Sequence, residues 1–166
     1  FKVNKYVFKT PLNYVFTTET PENEFTKQLC EIENSKHIDS WIKSRDQGFY
    51  HIEYSYRMAN HQRIGTFNPD YFIKTTEQDM EYIVVIEIKA DKDVSVENKA
   101  KYKYGKNHFN ELNNRLKDER INQQYIFHFL SPKNYQTFFE YLADGRIYKG
   151  EFRSELEILL TDNEED

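Results

Sequence analysis

The chain has 166 residues, a length typical of one domain with its own hydrophobic core. Aromatic residues make up 16% of it, so we expect an aromatic-rich core. The net charge of −5 excludes a globally basic nucleic-acid binder, and a lone cysteine, Cys30, excludes an internal disulfide. The longest apolar run, residues 82–86, is too short to span a bilayer. These features predict a cytoplasmic protein with no membrane anchor.

The whole chain, residues 1–166, is interpreted as one domain, because no linker, repeat or low-complexity segment divides it. We expect the core to span about residues 20–145. The acidic tail over residues 161–166 is expected to fray. Because the chain begins with Phe rather than Met, we also expect it to be a piece of a longer protein.

The first half of the chain opens with an extended segment over residues 5–17, broken by Pro11. Thr20 and Pro21 then form a helix start, followed by apolar residues at helical spacing. Ile38, Trp41 and Ile42 continue an apolar stripe and predict a second short helical piece, which ends at Gly48.

The second half predicts a mixed α/β fold. Three strands in an antiparallel meander are expected over residues 49–56, 66–74 and 81–89, with turns over 60–65 and 75–79. A crossover helix over 95–116 leads to a buried strand over 124–130, and further helices follow over 131–143 and 154–160. The order of these elements predicts a mixed sheet flanked by helices.

Charged residues end the apolar third predicted strand, residues 81–89. Glu87 and Lys89 are two residues apart, so their side chains point to the same face. If the second and third strands pair, Asp70 lies across from Glu87 near the same end of the sheet. Two nearby carboxylates repel unless a cation lies between them, and Mg²⁺ or Mn²⁺ prefers such oxygen ligands. The spacing predicts a metal site, with Lys89 orienting a water or neutralising a phosphate; a solvated sheet edge is the alternative.

The same residues carry a family resemblance. Pro69-Asp70 with Glu87-Ile88-Lys89 resembles the PD-(D/E)xK nuclease signature. The wider pattern is similar to the C-terminal endonuclease domain of the restriction subunit of type III restriction enzymes, over roughly residues 20–130. That pattern consists of Glu24-Phe25…Leu29…Trp41-Ile42-Lys43, Gly65-Thr66-Phe67-Asn68-Pro69-Asp70, and Lys106-Asn107-His108-Phe109…Leu112. One departure is Ala90, where that family often has Gly.

The resemblance implies a restriction-endonuclease-like fold and assigns roles to the site. Asp70 and Glu87 would be metal ligands, the Ile88 carbonyl a third ligand, and Lys89 the catalytic lysine. Glu24 would be an accessory acid near the metal; its alternative role is that of a first-turn acid on the helix dipole. The cofactor is expected to be Mg²⁺, with Mn²⁺ able to substitute.

Residues 89–120 carry nine Lys or Arg against six Asp or Glu, a local excess that favours an anionic partner. The residues expected to contact nucleic acid are Lys99, Lys101, Lys103, Lys106 and His108. The alternative for the lysines is a solvated helix face. For His108 the alternative is packing beside Phe109 at the helix–sheet interface.

The leading hypothesis is therefore a Mg²⁺-dependent DNA endonuclease domain that hydrolyses phosphodiester bonds. By the resemblance, its partners would be double-stranded DNA, a helicase motor in the same polypeptide and a methyltransferase subunit. No phosphate-binding loop of a motor occurs in this chain. The alternative function is a catalytically silent nuclease-fold module that binds DNA or a partner protein. A nuclease that cuts RNA or single strands is a further alternative.

Overall fold

The computed structural model describes residues 2–4, 9–17, 20–45 and 48–161. Its helices are α1 (Thr20–Leu29), α2 (Ile32–Ser35), α3 (Val96–Asp118), α4 (Tyr135–Ala143) and α5 (Glu155–Thr161). Its strands are β1 (Ser40–Lys43), β2 (Ile52–Met58), β3 (His61–Phe67), β4 (Tyr71–Glu77), β5 (Met80–Ile88) and β6 (Gln123–Leu130). Residues 5–8 of the predicted extended segment and residues 162–166 of the predicted acidic tail lie outside the described residues.

The central sheet has four strands in the order β1-β4-β5-β6, and β2 and β3 form a separate two-stranded sheet. The β1–β4 and β4–β5 pairs are antiparallel, whereas β5 and β6 are parallel. The crossover between β5 and β6 is made by α3, as a parallel pair requires. The chain is therefore a mixed α/β fold with a mixed sheet, as predicted, but the expected three-strand meander is not one sheet.

The predicted second helical piece around Trp41 is wrong, because these residues form strand β1. Trp41 and Lys43 are buried while Ser40 and Ile42 are half-buried, which is the alternation of a strand. The segment pairs with β4, with Trp41 opposite Ile73. The spacing of the apolar residues fits either a helix or a strand. The segment becomes a strand because the edge of β4 offers backbone hydrogen-bonding groups with which it can pair.

The predicted strand over residues 66–74 is also wrong, because two strands in different sheets cover it. Pro69 lies between β3 and β4, and its missing amide hydrogen favours a break in the strand at this point. The predicted turn over 60–65 is mostly strand β3, and the chain reverses one step earlier, where Ala59 has a φ of 54°.

The two faces of the central sheet carry separate aromatic cores. Phe25 of α1 and Phe138 of α4 pack on one face, where their ring centroids lie 5.9 Å apart. On the other face, Phe127 of β6 packs against α3 and the β2–β3 hairpin. Gly105 lets α3 approach the sheet closely, since a Cβ there would clash with the Phe127 ring. The site described below lies at the end of the sheet where β4 begins and β5 ends.

The crossover helix begins as the sequence predicts. Ser95 caps α3 by accepting a hydrogen bond from the Asn98 amide at 3.2 Å. The helix has 23 residues, yet most of its surface is polar. In the part of the chain that the structure describes, no helix combines the length and apolar character needed to cross a bilayer.

Candidate functional site

Two carboxylates meet at one end of the central sheet. Tyr71 pairs with Ile86, and continuing this register by one residue sets Asp70 opposite Glu87 on the same face. Oδ2 of Asp70 accepts a hydrogen bond from the Ile88 amide at 2.6 Å. This bond ties the Pro-Asp turn before β4 to the last residue of β5.

Lys89 joins the carboxylates from the same strand. Its Nζ lies 2.6 Å from Oε1 of Glu87, and its ammonium stands 5.9 Å from the ring centroid of Phe129. Its backbone amide donates to the Leu130 carbonyl at 2.9 Å, which continues the β5–β6 ladder past the end of β5. The structure therefore brings Asp70, Glu87 and Lys89 together.

The electrostatics of the cluster favour an added positive charge. Burial raises the pKa of Asp70 well above its ordinary value, and the neighbouring Glu87 raises it further, while the Ile88 amide and Lys89 oppose both effects. Burial also raises the pKa of Glu87, against the opposing effect of Lys89. Glu87 is only 5% exposed, and its Oε2 has no hydrogen-bond partner among the described residues. A buried acceptor without a donor is costly, so this oxygen is a natural ligand position.

The charge state of Lys89 follows from the same neighbours. Burial lowers the pKa of Lys89, but Glu87 and then Asp70 raise it, and the net shift is upward. Lys89 therefore remains an ammonium at neutral pH. As an ammonium it is a hydrogen-bond donor and cannot serve as a general base.

The Ile88 carbonyl completes the set of oxygens on this edge. In a strand, the N–H and C=O of one residue point to the same side. Because the Ile88 N–H points to Asp70, its carbonyl also points toward the beginning of β4. Two carboxylates and one carbonyl are oxygen donors of the kind that Mg²⁺ accepts.

Glu22 is the acid of α1 whose charge acts on both carboxylates of this cluster. Nζ of Lys43 lies 3.3 Å from Oε2 of Glu22, and the two side chains are 6% and 14% exposed. The Glu22 charge raises the pKa of both Asp70 and Glu87. Glu24 is exposed, and its charge acts on Tyr135, whose pKa is raised by burial and then by Glu24 together with Asp70.

The helical periodicity of α1 contains the signal that identifies Glu22. Phe25 and Leu29 are buried and define the inner stripe of the helix. Glu22 lies three residues before Phe25 and belongs to that stripe, whereas Glu24 does not.

Two further residues support the Pro-Asp turn and were not predicted. Ser44 donates its amide to the Asp70 carbonyl at 2.7 Å and its hydroxyl to the Pro69 carbonyl at 2.5 Å. The Tyr71 hydroxyl donates to the Glu22 carbonyl at 3.1 Å and contacts Thr26 Oγ1 at 2.7 Å. These contacts fix Asp70 against β1 and α1.

The predicted DNA-contacting lysines of α3 do not share one face of the helix. At about 100° per residue, Lys99, Lys103 and Lys106 fall within about 60° of one another, and Lys101 lies on the opposite side. Nζ of Lys101 is 2.8 Å from Glu97 and stands over the Tyr54 ring at 5.3 Å. Its charge lowers the pKa of Glu87, so Lys101 is the member of the set that acts on the cluster.

His108 packs against the β2–β3 side of α3. Its Nε2 is 2.7 Å from the Tyr50 hydroxyl, and its ring meets Phe109 edge to face. Burial lowers the pKa of His108, with an opposing effect from Glu111. These contacts favour the interface role over a phosphate contact.

The cluster contains too few acidic side chains to hold a metal ion through side chains alone. Among the described residues, no group of three or more His, Cys, Asp or Glu side chains is placed to hold a metal ion. Asp70 and Glu87 are adjacent, and Glu22 is engaged by Lys43. A cation at this site would therefore depend on the Ile88 carbonyl and on water or substrate oxygens to fill its coordination.

Comparison with known proteins adds no relative from which a role could be transferred. No family model matches the chain, and neither a curated protein nor a solved structure matches it. The chemistry of this site is therefore argued from its own residues and their contacts.

Proposed function

We propose that this chain is a metal-dependent DNA endonuclease domain with a restriction-endonuclease-like fold. The observation that carries the proposal is the meeting of Asp70 and Glu87 at one sheet end, with Oε2 of Glu87 buried and without a partner among the described residues. Lys89 stands on the same face, within hydrogen-bond distance of Glu87. Paired acids with a neighbouring ammonium suit the hydrolysis of a phosphodiester, whose transition state gathers negative charge.

The oxygens of this cluster fit a hard divalent cation. Asp70, Glu87 and the Ile88 carbonyl would hold Mg²⁺, and Mn²⁺ accepts the same oxygen donors. When bound, such an ion polarises a phosphate oxygen and lowers the pKa of a bound water.

The residues of the chain have distinct tasks in the reaction. The Ile88 amide holds one oxygen of Asp70 and leaves the other for a ligand. Lys89, as an ammonium, donates to a non-bridging phosphate oxygen and stabilises the charge that develops there. The oxygen of water adds to phosphorus and releases a proton to solvent. The bond to the leaving sugar oxygen breaks and that oxygen takes up a proton, which yields a phosphate monoester and a hydroxyl group.

Glu22 and Lys43 act as positioning residues. Their ion pair fixes α1 against β1 beside the Pro-Asp turn. The negative charge of Glu22 adds to the field of Asp70 and Glu87, which increases the attraction for a divalent cation.

Cleavage of supercoiled plasmid tests the proposal. We expect the purified chain to nick or linearise the plasmid with Mg²⁺ or Mn²⁺ and to stop when EDTA is added. Lys89→Ala should lower the rate by about 100-fold or more, in the range found when one transition-state donor is removed. Arg115→Ala, at the far end of α3, is the matched control and should cut at the wild-type rate. Metal-independent cutting, or full activity of Lys89→Ala, would refute the assignment.

A second candidate function is a silent nuclease-fold module that binds DNA without cutting it. The observation that favours it is the 2.6 Å contact between Lys89 and Glu87, because a built-in ammonium can replace a metal as the counter-ion of the buried carboxylate. Such a module should bind duplex DNA equally well with Mg²⁺ and with EDTA, and it should leave the plasmid intact under all conditions.

We further propose that the domain works within a type III restriction-like or helicase–nuclease defence enzyme. The support is sequence resemblance: the segment ending at Pro69-Asp70 and the segment Glu87-Ile88-Lys89 resemble the endonuclease domain of type III restriction enzymes. The expected partners are a helicase motor in the same polypeptide and a methyltransferase subunit. Determining the full reading frame that contains this chain tests the first, and affinity purification of its product tests the second.

A further inference from the structure

The β2–β3 hairpin is built as a projecting ribbon with a fixed base. At its base, Ile52, Tyr54 and Phe67 are buried against α3. Beyond this base, most side chains of both strands are exposed, and the ribbon turns at Ala59 and Asn60. Ser55 and Tyr56 still contact Tyr104 and Glu97 of α3. The free part of the ribbon therefore begins at Arg57 and extends about 10 Å to the turn, at about 3.3 Å per residue.

The base of the ribbon is tied to the proposed catalytic turn. Phe67 ends β3 only three residues before Asp70. Asn68 accepts a hydrogen bond from the Tyr50 amide at 2.9 Å and donates to the Arg45 carbonyl, so both ends of the hairpin are held together. The direction of the ribbon is therefore fixed relative to the site.

The distal half of the ribbon has the side chains of a nucleic-acid contact surface. Residues 54–69 contain Arg57 and Arg63 and no acid at all. No ion pair joins either arginine to another residue that the structure describes. Every residue from 57 to 64 is exposed.

The strand register distributes these groups over both faces of the ribbon. Arg57 pairs with Gln62, and Arg63 pairs with Tyr56, so the two arginines point to opposite faces. Ile64 is 76% exposed and Met58 is 63% exposed. In a groove lined by two phosphate backbones, such a ribbon would present Arg57 to one backbone and Arg63 to the other. Its exposed apolar side chains would contact the floor of the groove.

We propose that this ribbon inserts into the major groove of duplex DNA beside the phosphate to be cut. The proposal rests on the nuclease function proposed above and names the duplex as its substrate. The major groove of B-DNA admits a two-stranded ribbon, and Arg and Gln are the side chains that pair with guanine and adenine edges there. Residues 54–69, which are cationic and contain no acid, complement the phosphate walls, whereas the chain as a whole carries a net charge of −5.

A binding experiment without cleavage tests this assignment. The Asp70→Asn chain in EDTA is titrated into a fluorescent duplex of about 30 base pairs, a length that covers several helical turns. Arg57→Ala/Arg63→Ala in the same background should raise Kd tenfold or more. It should also reduce the steepness of the salt dependence by about 2, since each phosphate contact contributes about 0.9.

The matched control removes the same charge elsewhere. Arg115→Ala/Lys117→Ala lies at the C-terminal end of α3, a helix of 23 residues that begins near the site. This control should change Kd less than twofold. Circular dichroism melts should agree among all variants, because the arginines of the ribbon lie outside the core.

Three outcomes would overturn the ribbon assignment. The first is an unchanged Kd in the ribbon variant, and the second is an equal loss in the control pair. The third is equal affinity for an RNA duplex, whose deep and narrow major groove excludes a ribbon. A chain that binds through the ribbon but never cuts contradicts only the nuclease function, whereas a chain that cuts with normal binding by the ribbon variant contradicts only the ribbon.

Discussion

The Ile88 amide donates a 2.6 Å hydrogen bond to Oδ2 of Asp70, and this contact links the turn before β4 to the end of β5. It fixes the orientation of a carboxylate whose pKa is raised by burial and by Glu87. An asparagine could accept the same hydrogen bond through its side-chain oxygen while carrying no charge. The Asp70→Asn substitution therefore separates the effect of the Asp70 charge from the effect of its hydrogen bond.

Asp70→Asn should stabilise the metal-free domain and abolish cutting. Removing the charge relieves the repulsion from Glu87 and the burial of an ionised group, so at pH 8 in EDTA the free energy of unfolding should rise by about 1 kcal/mol or more. Plasmid cleavage should fall by about 100-fold or more. Urea unfolding and a cleavage time course measure both effects. A loss of stability in the Asp70→Asn variant would mean that the charge of Asp70 serves the fold.

Glu22→Gln and Glu24→Gln should differ strongly although both lie in the first turns of α1. Glu22 is ion-paired with Lys43 and influences the site carboxylates, whereas Glu24 is exposed. We expect cleavage by Glu22→Gln to fall about tenfold, the equivalent of about 1.4 kcal/mol, and Glu24→Gln to remain within twofold. The reverse ranking would restore Glu24 as the accessory acid.

The stability of the metal-free domain should fall as pH rises. The ordinary pKa values of Asp70 and Glu87 are 3.8 and 4.5, and both are raised in the folded chain, so the folded state binds these protons more tightly than the unfolded state. Their favourable contribution is complete below the ordinary pKa and is lost as pH rises through the raised pKa.

Thermal melts from pH 4 upward, in EDTA and in Mg²⁺, measure this effect. The decline with pH should be shallower in Asp70→Asn, and Mg²⁺ should restore stability most at high pH, where the carboxylates are ionised. An apo stability that rises with pH in the wild type more than in Asp70→Asn would contradict the raised pKa of Asp70.

Glu157→Ala should destabilise the fold. Glu157 is 1% exposed, contacts His128 Nδ1 at 3.0 Å and accepts from the Ser154 amide at 2.9 Å. Burial alone would raise its pKa, but His128 and the Ser154 amide lower it below its ordinary value. Removing one partner of such a buried pair costs about 3–5 kcal/mol.

Glu155→Ala is the control for this change, because Glu155 lies on the same helix, half-exposed, with Lys133 at 4.0 Å. The control should cost less than about 0.5 kcal/mol. Urea unfolding compares the two variants. Similar losses in both would show that α5 contributes through its helix rather than through the buried pair.

The sequence predicted those elements that can be recognised from the pattern of neighbouring residues alone. The apolar run over residues 82–86, the helix predicted to begin at Ser95 and the helix start at Thr20 all correspond to observed elements. The alternation of side chains along a strand also predicted that Glu87 and Lys89 share one face. These features depend only on residues that are close in sequence, so one sequence is enough to predict them.

Pairing between distant segments could not be predicted in the same way. Trp41 is in a strand only because the edge of β4 is available to β1. The split at Pro69 depends on β3 leaving the central sheet for the hairpin. The Glu22–Lys43 pair joins α1 to β1, and neither element alone indicates it.

Titration calorimetry with Mn²⁺ tests the central claim most directly. The claim is that Asp70 and Glu87 together hold a divalent cation. The wild-type chain should bind Mn²⁺ with a defined stoichiometry, Asp70→Asn and Glu87→Gln should each weaken that binding at least tenfold, and Glu24→Gln should leave it unchanged. The account is contradicted if the wild type releases no heat of binding, or if Asp70→Asn and Glu87→Gln bind Mn²⁺ as the wild type does.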